Sequence, residues 1–229
     1  MSEFNGFPKE IIAFFEQLRE NNTKEWFDEH RNDYEDFVKQ PSCEFVISLG
    51  EKLKKIVPAL NAIPKVNKSL FRINRDTRFS NDKSPYKTNL GIWLWEGEGK
   101  RMECSGFYFH LGDKNLMLGV GMHMFPKGLL EPYRQAVINK KFGPKLRETV
   151  KKVSNKGYNV VGKHYKRVPR GYEASHKNAE FLQYNGLTAG IESKIPKEFY
   201  TEALVDYALN HFKNMVPLHE WLRQAVAPS

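Results

Sequence analysis

Residues 70–89, LFRINRDTRFSNDKSPYKTN, set Arg72, Arg75, Arg78, Lys83 and Lys87 against only two carboxylates, Asp76 and Asp82. A guanidinium presents a rigid fork of donors that matches a phosphate or a carboxylate, and an adjacent aspartate can orient the fork or move a substrate proton. The spacing therefore predicts a site for an anionic small molecule. Arg72, Arg75, Arg78 and Lys83 would be its electrostatic partners, and Asp76 or Asp82 an acid or base if the site is catalytic. The competing reading is a self-contained ion-pair network that fixes the loop. Such a network, if buried, needs every charge paired, and three arginines against two aspartates leave cationic capacity over. That surplus favours the external anion.

The elements that must position these side chains follow from the flanking pattern. A strand from Leu70 puts Arg72, Asn74 and Asp76 on one side and Arg75 on the other, whereas a helical turn aligns Arg72 with Arg75 and Asp76. Ser80-Asn81-Asp82 is turn chemistry, and Pro85 biases Ser84 toward an extended backbone, so Tyr86 and Lys87 are expected to re-enter a sheet. Strand, charged loop, strand is the resulting order.

The sheet itself reads as an antiparallel meander. Leu90, Ile92 and Leu94 alternate, as do Phe107, Phe109 and Leu111, and then Leu116, Leu118 and Val120. A two-residue turn at Asp113-Lys114 sets Leu111 against Leu116 and Phe109 against Leu118. Pairing Leu90 with Phe107 in the preceding hairpin sets Glu96 against Arg101 and lines up Gly91, Gly106 and Gly121 on the opposite face. A glycine row signals either a ligand or a backbone in close approach. Tyr108 shares that face beside Asn89, and it joins Tyr86 in the candidate ligand set. His110 and His123 lie too far apart in this register to share an ion, so no metal site is expected there. Cys104 is expected to face Trp93 and His123, where a thiol is structural.

Around this sheet the chain reads as helices. Ile11, Phe14, Phe15 and Leu18 mark one apolar face, and Phe27, His30, Tyr34 and Phe37 mark a second, opened by an Asn22/Glu25 capping pair. Phe45, Leu49, Leu53 and Ile56 form a third before Pro58. A short βα segment is expected near 157–192, then a C-terminal helix carrying Phe199, Ala203 and Tyr207, interrupted at Pro217. The predicted class is α+β: N-terminal helices, a central mainly antiparallel sheet and C-terminal helices, in a single domain over 1–229.

With 229 residues, 40% of them hydrophobic, the chain can bury a substantial core. Its start lacks a basic-then-apolar leader and no uncharged stretch reaches membrane-spanning length, so a soluble cytoplasmic protein with no membrane partner is expected. Two cysteines, Cys43 and Cys104, supply neither a disulfide framework nor a multi-cysteine zinc site. The formal charge of +9 is concentrated in residues 138–170, where eleven lysines and arginines meet one acidic residue, Glu148. This makes nucleic acid the alternative partner, through Lys140, Lys141, Lys145, Lys151 and Lys152. Against it, Leu146, Val150 and Val153 at helical spacing describe an ordinary amphipathic surface helix.

Arg72-x-x-Arg75-Asp76-x-Arg78-Phe79, followed by Asp82-Lys83-x-x-Tyr86, resembles the signature of a bacterial family of unknown function, DUF2461. The similarity extends over nearly the whole chain, through the aromatic strand FYFHL to Pro169-x-Gly171-Tyr172 and His176. Lys177 stands where members of the family often carry proline. The resemblance implies that the arginine and aspartate positions belong to one shared site, and it implies no reaction or cofactor. No Walker loop, dinucleotide fingerprint, G-x-S-x-G elbow or H-E-x-x-H helix is present, which disfavours P-loop hydrolysis and nicotinamide chemistry.

Overall fold

Apolar periodicity decides where this chain coils and where it extends. The computed structural model describes residues 3–226. Helix α1 (Glu10–Glu20) buries Ile11, Phe14, Phe15 and Leu18, the face expected of it. Helix α2 (Lys24–Glu29) is opened by Thr23, whose hydroxyl accepts the Trp26 N–H at 3.2 Å. Asn22 is therefore not the cap, and it has other work described below. A short turn, α3 (Arg31–Asp33), runs into a π-helix over Tyr34–Lys39 and then into α4 (Gln40–Lys54), which buries Phe45, Val46, Leu49 and Leu53.

Six strands form one antiparallel sheet in the order β1-β2-β3-β4-β6-β5: β1 (Leu60–Asn61), β2 (Leu90–Glu96), β3 (Gly106–Leu111), β4 (Asn115–Met122), β5 (Asn159–Lys163) and β6 (Tyr184–Lys194). Helices α5 (Lys127–Ile138) and α6 (Phe142–Ser154) separate β4 from β5. The expected βα segment is instead a pair of antiparallel strands, in which Asn159 meets Gly190 and Val161 meets Thr188. Helix α7 (Ala203–Val226) closes the chain. It continues through Pro217, because Phe212, Met215, Leu218 and Leu222 on both sides of the proline are buried and hold the helix in one piece.

The described residues divide between two compact units. One holds the chain up to Trp95 with Tyr108–Leu118 and Glu192–Asn210; the other holds Glu96–Phe107, Gly119–Ile191 and the chain from His211. At the centre of the first, the rings of Phe4, Phe7, Phe45, Phe109 and Phe199 pack with centroids 4.7–6.1 Å apart. Each such ring is fully buried and contributes roughly 1.5–3 kcal/mol. The second unit is built on Tyr133, Leu146, Val153, Leu182 and Trp221, with the Trp221 indole donating to the Phe142 carbonyl at 2.9 Å.

Two registers bear on the expected site. The Gly112 N–H donates to the Asn115 carbonyl at 2.9 Å, so Asp113-Lys114 is the tight turn that sets Leu111 against Leu116. In the other hairpin the Glu96 N–H reaches the Ser105 carbonyl at 3.1 Å. Glu96 thus pairs with Ser105 and not with Arg101, because the Arg101–Glu103 turn lengthens the connection and shifts the strands by four residues. The face of each residue survives an even shift, but the glycine row does not: Gly91 falls beside His110 instead of Gly106.

The glycines answer to packing. A Cβ on Gly91 would come within 3.0 Å of the Phe71 ring and 3.3 Å of the Tyr108 hydroxyl, so the bare backbone lets Phe71 lie against the strand. Gly121 has φ +132°, and a Cβ there would collide with the Leu187 carbonyl oxygen of β6. It is needed for close approach of a neighbouring backbone, the second of the two meanings a strand glycine can carry.

Candidate functional site

The charged segment closes on itself like a wide hairpin. The Arg75 N–H donates to the Pro85 carbonyl and the Lys87 N–H to the Ile73 carbonyl, both at 2.8 Å, leaving residues 76–84 as the loop between. The expected flanking strands are only isolated bridges, Leu70 to Ile92 and Asn74 to Tyr86; between them Ile73 is buried while Arg72 and Asn74 on either side are exposed, so Arg72 lies on the outward side of an extended stretch. Arg78 grips Asp76 with both arms of its fork, Nε to Oδ1 at 2.9 Å and a terminal nitrogen to Oδ2 at 2.7 Å. Arg75 pairs with Asp82 through Oδ2. The other oxygen of Asp82 accepts the Ser84 N–H at 2.9 Å and the Ser84 hydroxyl at 2.6 Å, which fixes the turn ahead of Pro85. Lys83 donates to the Thr77 carbonyl and Lys87 to the Arg72 carbonyl, each at 2.9 Å.

These bonds decide what the carboxylates can do. The Arg78 side chain and N–H hold Asp76 down from 3.8 to about 2, and the Ser84 hydroxyl, with Arg75, holds Asp82 well below the usual carboxylate range. Both are ionised at neutral pH and have no proton to give, so they suit the orientation of arginine forks rather than general acid catalysis. Because the folded value of Asp76 is depressed, its stabilising contribution is present above 3.8 and lost as pH falls through about 2. Carbon-detected NMR of the Asp76 carboxyl is expected to titrate with a midpoint near 2; a midpoint in the ordinary aspartate range would dismiss the Arg78 fork in solution.

A family model described as Conserved hypothetical protein (DUF2461) matches residues 10–221. The chain belongs to this family. No curated protein and no solved structure matches it.

In this DUF2461 chain the remaining residues expected at the site divide by environment. Tyr86 is a packing residue: it is buried and stacked on Phe27 at 4.2 Å, and the Asn22 amide brackets its backbone, accepting from its N–H and donating to its carbonyl at 3.0 Å each. That bracket fixes where the charged loop rejoins the fold. Tyr108 is half-buried, its hydroxyl 3.1 Å from His110 Nδ1 and its ring edge-on to Phe71 at 6.2 Å. Burial pushes the Tyr108 hydroxyl up and His110 down. The ion pairs thus join Arg75 to Asp82 and Arg78 to Asp76, and neither tyrosine takes part in them. Arg72 is exposed and makes no ion pair among the described residues.

The alternative partner surface lies in the second unit. Lys140, Lys141, Lys145, Lys151 and Lys152 are all exposed, and α6 buries Leu146 and Val153 on its other side, as an amphipathic surface helix does. Tyr172, from the later part of the DUF2461 resemblance, also belongs there; its hydroxyl donates to Glu131 at 2.5 Å and accepts from Gln135 at 3.0 Å.

One constellation escaped the sequence reading. His219 Nδ1 lies 2.9 Å from the Ser105 hydroxyl and its Nε2 lies 2.7 Å from Glu96, which Arg223 also approaches at 3.4 Å. Serine, histidine and glutamate are the ingredients of an acyl-transfer triad. Here, however, His219 is 1% exposed and Ser105 7%, and burial depresses the imidazole, so no substrate carbonyl reaches the hydroxyl. The group is a buried tie between hairpin and helix. These partners are more than a hundred positions apart in sequence, and no local motif announces them.

Neither thiol is an activated nucleophile. Burial pushes both Cys43 and Cys104 up, with Cys43 against the Pro64 carbonyl at 3.3 Å and Cys104 packed on Gly97 and Gly99. Among the described residues no group of three or more histidines, cysteines or acids is placed to hold a metal, and no helix is long and apolar enough to cross a membrane.

Proposed function

We propose that the loop of residues 72–87 binds a small phosphorylated or carboxylated molecule, with Arg72, Arg75, Arg78 and Lys83 as its charge partners. The observation that carries this reading is the unbalanced charge of an exposed loop. Two carboxylates neutralise two of its cations, and Arg72 projects outward without an ion pair among the described residues. Asp76 and Asp82 hold the forks of Arg78 and Arg75 in place, which lowers the ordering cost of binding. Because both pairs lie at the surface, an incoming anion can share or displace them at small cost. The competing nucleic-acid reading rests on exposed lysines, of which Lys145, Lys151 and Lys152 sit on the solvated face of an amphipathic helix.

The test separates binding from stability. The Arg75 side chain is 26% exposed and that of Asp82 59%, so solvent screens the pair and it adds little to stability. Arg75→Gln is therefore expected to unfold close to the wild type. Thermal unfolding with inorganic phosphate, sugar phosphates and citrate should show stabilisation of the wild type and its loss in the variant. A strongly destabilised variant, beside a wild type that no anion stabilises, would make the loop a structural network.

A further inference from the structure

Phe79 is 95% exposed, at the tip of the same loop. Packing does not account for it, since the flanking chain is ordered by hydrogen bonds that leave the ring out. The Ser80 N–H returns to the Thr77 carbonyl at 3.3 Å, a turn that lifts Arg78 and Phe79 to its corners. Lys83 donates to that same carbonyl at 2.9 Å, so its ammonium sits at the base of the turn. The Arg78 guanidinium, held by Asp76, lies 5.7 Å from the centre of the Phe79 ring. An aromatic face offered to solvent and cations held beside it are the two components of nucleotide recognition: the ring stacks a base and the cations take the phosphate.

We propose that Phe79 is a stacking platform and that the anion bound by the loop is a nucleotide, either free or part of a single strand. This rests on the reading of the loop as an anion site and narrows it to a ligand class. A lipid surface fits less well. Membrane docking draws on several apolar side chains or a broad polybasic field, whereas Phe79 is the one large exposed hydrophobic residue between 70 and 89 and two of the surrounding cations are tied to carboxylates. One ring matches one planar base.

The experiment is calorimetric titration of wild type, Phe79→Ala and Phe79→Trp with inorganic phosphate, ribose 5-phosphate, nucleoside 5′-monophosphates, a short oligothymidylate and phosphatidylserine vesicles. The full exposure of Phe79 means that neither variant disturbs the core. Nucleoside monophosphates are expected to bind the wild type about tenfold or more tightly than ribose 5-phosphate, the difference being the stacked base. Phe79→Ala should erase that difference and leave phosphate binding unchanged, and Phe79→Trp should keep it. Equal affinity for ribose 5-phosphate and nucleotide, or a Phe79→Ala protein that still prefers nucleotide, overturns the stacking role while the anion site stands. Failure of every anion to bind overturns both. Vesicle binding that depends on Phe79, without nucleotide preference, would replace the base by a membrane. The oligothymidylate arm distinguishes a strand from a free nucleotide, since either supports the platform.

Discussion

His219→Ala is expected to destabilise the protein by about 3 kcal/mol, the lower end of the range for stripping a partner from a buried charge. Glu96 would lose its 2.7 Å bond, although Arg223 at 3.4 Å would still face it. The Ser105 hydroxyl would lose its partner as well, and the missing ring would leave a cavity against Phe107, whose centroid lies 5.0 Å away. A pH signature separates this tie from simple packing. Burial depresses His219 below its ordinary 6.5 while Glu96 pulls the other way, so the unfolded chain takes up a proton that the folded one resists. Wild-type stability should therefore fall as pH drops below 6.5, and the alanine variant should lack that component. Denaturant unfolding across this range would show it, and parallel pH profiles for the two proteins would remove His219 as the titrating group.

Gly121→Ala is expected to cost about 4 kcal/mol, because strain and a clash fall on the same atom. The backbone at φ +132° disfavours any L side chain, and the new methyl group would be driven into the β6 backbone at Leu187, which cannot yield as a flexible side chain would. Gly157→Ala is the control. Its φ of +87° is also unfavourable, but nothing lies within 4 Å of the added carbon, so only strain of about 1–2 kcal/mol is expected. Comparable losses at both positions would mean that β4 and β6 do not approach closely in solution.

The parts of this fold that were legible beforehand are those governed by local rules. Alternation and the Asp113-Lys114 turn were enough to set Leu111 against Leu116, and helical spacing was enough to find the buried faces of α1 and α4. The second hairpin was not legible in the same way. The length of its connection depends on the turn at Arg101–Glu103, and an even shift leaves the inside-outside pattern unchanged, so the pattern could not detect the error. Pro217 misled because a local rule was overridden by tertiary burial on both sides. Within the candidate site, charge types and spacing pointed to the loop, but its pairing required coordinates: which aspartate meets which arginine depends on a turn in which Asp82 is occupied by Ser84. The Glu96–His219–Ser105 tie, formed across long separations, had no sequence signal at all.

The central claim, an anion held by the charged loop, is tested most directly by mapping backbone amide shifts while inorganic phosphate and then a nucleoside monophosphate are titrated into the labelled protein. The account predicts saturable shifts confined to residues 72–87 and their immediate neighbours, with Arg72, Arg75 and Arg78 among the largest. Shifts centred on the lysines of α6, or no saturable shift anywhere, would contradict it.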